Sequence, residues 1–405
     1  MIVGCLSLFL NGVILAARGQ ASLGIFNQVL SIYIILSQIA VCGVQFSVLH
    51  QCSWHPDNMD KCWDSLLSGL FLVVGISSVV SFILFFSAGF LADVFSSPSL
   101  EDGVKNISWG IVLFCCNKVG FLFLNAIRHM RALAVFQAVR FVLIVGFVLA
   151  GMWAAMADGS LSIALSISEA VLFVLMMGYI HGRVFHGKLT RPLRFFHLVR
   201  SHLSFGVRGC LSGVLVEMNT RTDILMLGLF VSDARVGLYS FVAAFAEGFS
   251  QLIVAMRRNV DPLLGNHFSL NDICEIEKLS ANVKRKFYPF MFGVGVILIC
   301  VFPFIFRLLD QTANIQESVL LLSILVGVFV LISGYNCFIG VLIQGGFPGL
   351  FTIVMLLTVL ANILLNFFLI PFLGVYGAAG ATGAAYLIQT IICIYMARRF
   401  LGVRI

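Results

Sequence analysis

Twelve runs of roughly 17 to 26 predominantly apolar residues, each bounded by a polar or turn cluster, fill almost the whole chain. A backbone placed in hydrocarbon must satisfy its own N–H and C=O groups, so runs of this length become membrane-spanning helices. They are predicted near 1–17, 26–48, 66–91, 104–124, 132–156, 161–181, 206–230, 236–256, 288–308, 318–343, 349–373 and 377–397. With 60% hydrophobic and only 11% charged residues, a soluble fold has no claim on the sequence. Met1 to Ala17 has no basic segment before it and no cleavage site after it, and reads as a first span rather than a signal peptide. The eleven cysteines are scattered, mostly inside apolar runs where cysteine behaves as a small hydrophobe, and imply no disulfide framework.

The net charge of +7 would suggest nucleic acid in a soluble protein, but here it follows from membrane orientation. With both termini cytoplasmic, 17 of the 25 Lys and Arg residues fall in inner segments, and only Arg18, Lys105, Arg235 and Arg307 fall in outer ones. All eight histidines are also inside. A basic stretch at 182–205 separates six spans from six, giving an N-terminal bundle over 1–181 and a C-terminal bundle over 206–405. In the other long inner loop, Ser269-Leu-Asn-Asp272 is a helix start followed by Ile273, Ile276, Leu279 and Val283 on one face, which predicts a short interfacial helix before the ninth span.

Shifting the chain by 213 residues lays Ala21, Gly24, Phe26, Ser37, Gln38 and Ile39 over Ala234, Gly237, Tyr239, Ser250, Gln251 and Leu252. With six spans per half, the two copies have the same orientation, as in transporters built from parallel repeats around a cavity that opens alternately to each side.

Cations at bilayer depth are costly unless they face protein, water or an anion. Lys118 and Arg140 are expected at similar depth; facing inward they would form a cationic wall suited to pyrophosphate. Snorkelling to the inner interface is the other reading, open at Lys118, less favoured at Arg140 and preferred at Arg208. The seventh span carries Glu217-Met-Asn219-Thr220-Arg221-Thr222-Asp223. Either Glu217 and Arg221 pair along the helix, or the run lines the cavity, with Asn219 and Thr220 bonding sugar hydroxyls and an acid serving as a proton or cation site. Glu169 and Glu247 are isolated acids in the sixth and eighth spans, each read either as a coupling site or as a neutral acid bonded to nearby backbone. Asn362 and Asn366 are expected to hydrogen-bond between helices, and Gly374, Gly377, Gly380 and Gly383 to allow close packing. His50, Cys52, His55 and Cys62 do not have zinc spacing. No nucleotide loop or nucleophile motif is present, so no cofactor, metal or catalytic residue is expected.

Three segments resemble one family. They are Ala17-Arg18-Gly19-Gln20-Ala21-Ser22-Leu23-Gly24-Ile25-Phe26; Arg221-Thr-Asp223 through Gly228 with Val236-Gly-Leu-Tyr239 and Asp261-Pro262; and Gln344-Gly-Gly with Asn362, Asn366, Ile370-Pro371 and Gly374 to Thr382. Together they are similar to polysaccharide (O-antigen type) flippases of the multidrug/oligosaccharidyl-lipid/polysaccharide exporter superfamily. The resemblance implies an all-α, MATE-like polytopic protein of about twelve helices in two six-helix bundles around a central cavity. It implies flipping of undecaprenyl-pyrophosphate-linked oligosaccharide across a bacterial inner membrane, with glycosyltransferases and a polysaccharide polymerase as pathway partners. Arg18, Arg221 and Asp223 match the family's functional positions. The segment from Arg18 to Gly24 is shorter than the family's, and the polar lead-in to helix one is missing, so a first helix trimmed or begun at a displaced start is expected. A cation-coupled drug exporter would predict an acid-lined cavity, whereas both signs occur here. A membrane polymerase or ligase needs an outer catalytic surface, and the predicted outer loops are short and lack histidine.

Overall fold

The helices in this computed structural model, which describes residues 2–55, 58–185, 195–270, 272–310 and 314–404 (side chains of 2–6 and 212 excepted), follow the apolar runs, with three instructive differences. No strand occurs among the described residues. The middle of the predicted linker, 186–194, lies outside them. Contacts divide the chain into two units: Met1–Leu10 with Ile25–Glu217, and Asn11–Gly24 with Met218–Ile405.

Unit 1 contains parts of α1 (Ile2–Val41), then α2 (Val44–Trp54), α3 (Met59–Phe86), α4 (Ala88–Val94), α5 (Pro98–Ala126), α6 (Met130–Trp153), α7 (Ile163–Tyr179) and the first part of α8 (Phe195–Phe230). Its core helix is α5, which starts with Pro98 in the first turn, where a missing N–H costs nothing. Small residues bring α7 against it: Ser162 Oγ donates to the Gly103 carbonyl (3.1 Å) and Ser166 Oγ to the Asn106 carbonyl (2.6 Å). A Cβ on Gly110 would lie 2.7 Å from Ser166 Cα, so this approach depends on glycine. His202 on α8 is buried between the Ser47 and Ser68 hydroxyls, at 2.9 and 3.1 Å.

Unit 2 contains the remainder of α1 and α8 with α9 (Asp233–Ser269), α10 (Ile273–Leu309), α11 (Ile315–Asn336), α12 (Val341–Gln344), α13 (Pro348–Leu373) and α14 (Val375–Met396). The two segments that aligned in the sequence repeat meet here. A Cβ on Gly24 would fall 1.9 Å from the Asp233 carbonyl oxygen, and one on Gly237 would fall 1.9 Å from that of Gln20. Gly24 and Gly237 are repeat partners, as are Gln20 and Asp233, so the crossing is reciprocal. The α13–α14 hairpin turns at Gly374 (φ 55°), where the left-handed region favours glycine. Gly377 and Gly383 then lie against Leu369 and Val328, whereas Gly380 has open space around it.

The first difference is α1, predicted as two helices with an outer loop. It is interrupted only at Gly19 (φ 83°, ψ −177°), and helix resumes at once. The polar residues of the expected loop are absorbed by the helix, with Gln20 donating to Asp310 at 2.9 Å. The second is α10, where the predicted interfacial helix and ninth span form one 37-residue helix, about 55 Å long at 1.5 Å per residue. Asp272 caps it by accepting from the Glu275 N–H, as a helix start should. The third is the first inner loop, largely helical in α2 and the start of α3.

Among the described residues, ten helices are long and apolar enough to cross a membrane. Counting α1 as two spans about Gly19, and adding α8, whose charged run sets it apart from those ten, gives twelve. The protein is a polytopic helical membrane protein.

Candidate functional site

In unit 1, Phe114 on α5 collects both intramembrane cations. The Arg140 guanidinium carbon lies 4.2 Å and the Lys118 ammonium 4.7 Å from its ring centroid, and Tyr33 stacks on it at 4.8 Å. Lys118 donates to Ser37 Oγ and Gln38 Oε1, both at 2.9 Å, so its ammonium is turned towards α1. Ser37 and Gln38 belong to the repeat, which gives that Ser-Gln pair a chemical use in this half.

Glu169 is isolated in the sequence but paired in the structure. Its Oε1 accepts from Arg140 Nε at 2.5 Å and its Oε2 from Asn117 Nδ2 at 2.7 Å, so both carboxylate oxygens are engaged. The carboxylate is almost completely buried, while 19% of the Arg140 side chain is exposed. Only Nε of Arg140 is committed; its two terminal nitrogens make no hydrogen bond among the described residues. Glu217 is also near enough to Lys118 for their charges to attract, and Arg140 keeps a guanidinium edge without a hydrogen bond among the described residues, an arrangement able to take a phosphate oxygen pair.

In unit 2 the central group is Asp223 of α8. Asn362 (3.0 Å) and Asn366 (3.4 Å) donate to its Oδ1, and Tyr239 (3.0 Å) and Thr382 (2.6 Å) donate to Oδ2. Asn366 also donates to Asn362. Asn362 and Asn366 thus bond between helices, and α8, α9, α13 and α14 all meet at one carboxylate. Asp223 is buried and has no cationic partner among the described residues. Neutral donors alone hold it, and the Asn366 Oδ1 beside them is buried and unpartnered. Such a cage can stabilise a carboxylate, accept a proton through the Thr or Tyr hydroxyl, or offer several oxygens to a small cation.

The other candidates are less gathered. Arg18 is half-buried beside the Gly19 kink and makes interactions there. Glu217 and Glu247 are half-buried, and neither is free of partners. Asn219 is buried with Oδ1 unpartnered. Arg221 Nε is buried and unpartnered. Arg208 is exposed and bonds back to Ser204 of its own helix. Sequence reasoning gave no site role to Tyr33, Phe114, Asn117, Tyr239 or Thr382; none is charged, and although Phe114 and Asn117 share α5 with Lys118, the others reach their sites from other segments.

Comparison with solved structures shows what this arrangement belongs to. The chain is similar to an inward-facing multidrug resistance MATE family transporter of the MOP superfamily, with a TM-score of 0.79, 13% identity and coverage of 99% of this chain and 95% of that one. It is similar to the lipid II flippase MurJ in an inward closed conformation, with a TM-score of 0.70, 14% identity and coverage of 98% and 86%. The MATE multidrug transporter DinF-BH gives a TM-score of 0.68 at 18% identity, covering 98% and 93%. At these identities the likeness is one of fold. No curated protein matches. Residues 9–260 match the family described as polysaccharide biosynthesis protein.

The fold defines a class of polytopic helical membrane protein, with the architecture shared by a MATE family transporter and the lipid II flippase MurJ. Within that class the chain belongs to the polysaccharide biosynthesis protein family.

Proposed function

We propose that the protein flips undecaprenyl-pyrophosphate-linked oligosaccharide from the inner to the outer leaflet of a bacterial inner membrane, for O-antigen or capsule assembly. It does so by alternating access, with no covalent step and with both termini cytoplasmic. In this reading 1–181 and 206–405 are the two bundles and 182–205 is their basic linker. The observation that carries it is the cluster of Lys118, Arg140 and Phe114, in which Glu169 fixes Arg140 through Nε and leaves its terminal nitrogens free. Pyrophosphate suits that edge, because a guanidinium binds paired oxygens and an ammonium adds a point charge. Asn219 and Arg221 are further substrate contacts, as is Arg18. The family description and a neighbour described as a lipid II flippase support a lipid-linked saccharide as cargo. We assign coupling to Asp223, a buried carboxylate held without a cation and therefore able to exchange a proton or small cation during the cycle.

The test is surface glycan in a deletion strain complemented with wild type, Arg140→Glu or Arg221→Glu, with abundance of each variant measured in the membrane. The expected outcome is glycan loss and accumulation of lipid-linked units in the inner leaflet at normal abundance. Wild-type glycan in both variants removes the site assignment, and intact glycan in the deletion strain removes the function. A deletion strain with normal glycan but sensitised to cationic dyes fits a drug exporter of the same fold instead.

A further inference from the structure

Three surface cations of unit 2 have an acid beside them: Arg235 pairs with Glu317 (2.5 Å), Lys278 with Glu275 (2.6 Å) and Arg257 with Asp261 (3.4 Å). The segment after α14 carries cations without such a pair. Its helix widens into a π-turn over Ala397–Leu401 and stops at Gly402 (φ 67°), and Arg398, Gly402 and Arg404 line one open pocket. Neither guanidinium makes an ion pair or hydrogen bond among the described residues. Lys284 of α10 is near enough to Arg398 for their charges to repel, and its ammonium sits 3.8 Å from the Tyr335 ring centroid.

This gathering of like charge is built into the fold. The backbone N–H of Arg404 donates to Glu277 of α10 at 3.0 Å, and Val403 is fully buried, so the turn is pinned and Arg404 is returned beside Arg398. Glu277, which touches the turn, engages backbone rather than either side chain. Lys284, Arg398 and Arg404, gathered against the carboxylate of Glu277, leave a net positive field that favours a bound anion.

The surroundings identify the source of that anion. Phe400 of the same turn is 50% exposed, and Tyr395 one turn earlier is 65% exposed. Phe347 of the neighbouring loop, 41% exposed, has its ring centroid 6.3 Å from that of Phe400. A soluble phosphate has no use for an apolar rim, whereas a phospholipid places its headgroup on cations and its chains along apolar side chains. We infer that the Arg398–Gly402–Arg404 pocket binds the phosphate of an anionic phospholipid headgroup, with Phe400 and Phe347 against the acyl chains. The site lies wholly in unit 2 and needs no assumption about the flipped substrate.

The test uses the detergent-purified full chain, with lipid binding counted by native mass spectrometry and Tm followed by intrinsic fluorescence, on adding cardiolipin, phosphatidylcholine or inorganic phosphate. Wild type is expected to bind cardiolipin and rise in Tm, with no response to phosphatidylcholine or inorganic phosphate. Arg398→Gln/Arg404→Gln should weaken cardiolipin binding about 30-fold, since each basic residue near a headgroup contributes about a factor of five. Arg398→Lys/Arg404→Lys, which keeps the charge, should retain most of it, and Arg131→Gln in unit 1 should retain all. Equal cardiolipin binding by wild type and the Gln variant overturns the site, and so does an equal response to phosphatidylcholine. A response to inorganic phosphate alone overturns the lipid assignment. If the double Gln variant does not fold, Arg404→Gln alone is measured, and unchanged binding there counts against the proposal.

Discussion

Gly24→Ala tests the reciprocal crossing in unit 2 at its tightest point. The new Cβ would lie 1.9 Å from the Asp233 carbonyl oxygen, 2.8 Å from its carbonyl carbon and 2.9 Å from the Gly237 nitrogen. Ordinary contact begins near 3.4 Å, so the two backbones must part by about 1.5 Å. All three obstacles are main-chain atoms inside helices, and no rotamer change relieves them. Inserting one carbon into a packed core costs about 1 to 3 kcal/mol, and rigid obstacles on every side place this case at about 3 kcal/mol or beyond. Gly146→Ala in α6 is the control, because nothing lies within 4 Å of its added Cβ and alanine is the better helix former by up to about 1 kcal/mol. The assay is Tm of detergent-purified protein and the fraction remaining monodisperse after heating. Gly24→Ala should fall well below wild type while Gly146→Ala holds or rises. Because Gly237→Ala strains the same crossing, the double variant should lose less than the sum of the singles. Equal stability of Gly24→Ala and Gly146→Ala would refute the close approach.

Three further outcomes follow from the described contacts. Glu169→Gln leaves the Arg140 charge without its partner and should cost about 2 kcal/mol, less than for a fully buried pair because Arg140 is partly exposed; Arg140→Met/Glu169→Gln should recover most of that in Tm, and no recovery would contradict the pairing. His202→Ala removes the buried bridge from α8 to Ser47 and Ser68 and should destabilise by about 2 kcal/mol in the same assay, an unchanged Tm counting against the bridge. Arg208→Gln should stay within about 0.5 kcal/mol of wild type, since the side chain is exposed and bonds only within its own helix.

The spans were legible because hydropathy sums over about twenty residues, and no local detail outweighs that sum. Local features were legible where one residue decides them: Asp272 marks the start of α10 by its side-chain oxygen alone. The errors arose where polarity was taken for a break in the backbone. Arg18, Gly19 and Gln20 look like a loop, yet a single residue of positive φ absorbs the turn while Gln20 finds Asp310, 290 positions away. The amphipathic 273–287 changes composition at 288, but the helix runs on through Pro289 to Leu309. The sites were half legible for the same reason. Charge made Lys118, Arg140 and Asp223 conspicuous, and spacing made Asn362 and Asn366 a pair. Thr382, 159 residues from Asp223, and Glu169, 29 from Arg140, carry no sequence sign of the partner they meet.

The two copies of the repeat agree where backbone geometry is at stake and diverge where chemistry is. Gly24 and Gly237 are both required by one reciprocal crossing, so either substitution breaks the same contact. The Ser-Gln pair is common to both copies, yet Ser37 and Gln38 receive the Lys118 ammonium, whereas Ser250 bonds back to the Glu247 carbonyl (2.7 Å) and Gln251 is exposed. The Lys118 and Arg140 pair on Phe114 lies in unit 1, and a caged carboxylate in unit 2. Were Arg140 and Asp223 in one cluster, their attraction would be about 4 kcal/mol at 4 Å and an effective dielectric of 20, enough to occupy each with the other. Glu169 instead takes only the Nε of Arg140, and neutral donors alone surround Asp223. Each group therefore keeps an unspent charge, which the proposed function uses at the guanidinium edge for an anionic cargo and at the carboxylate for a coupling proton or cation.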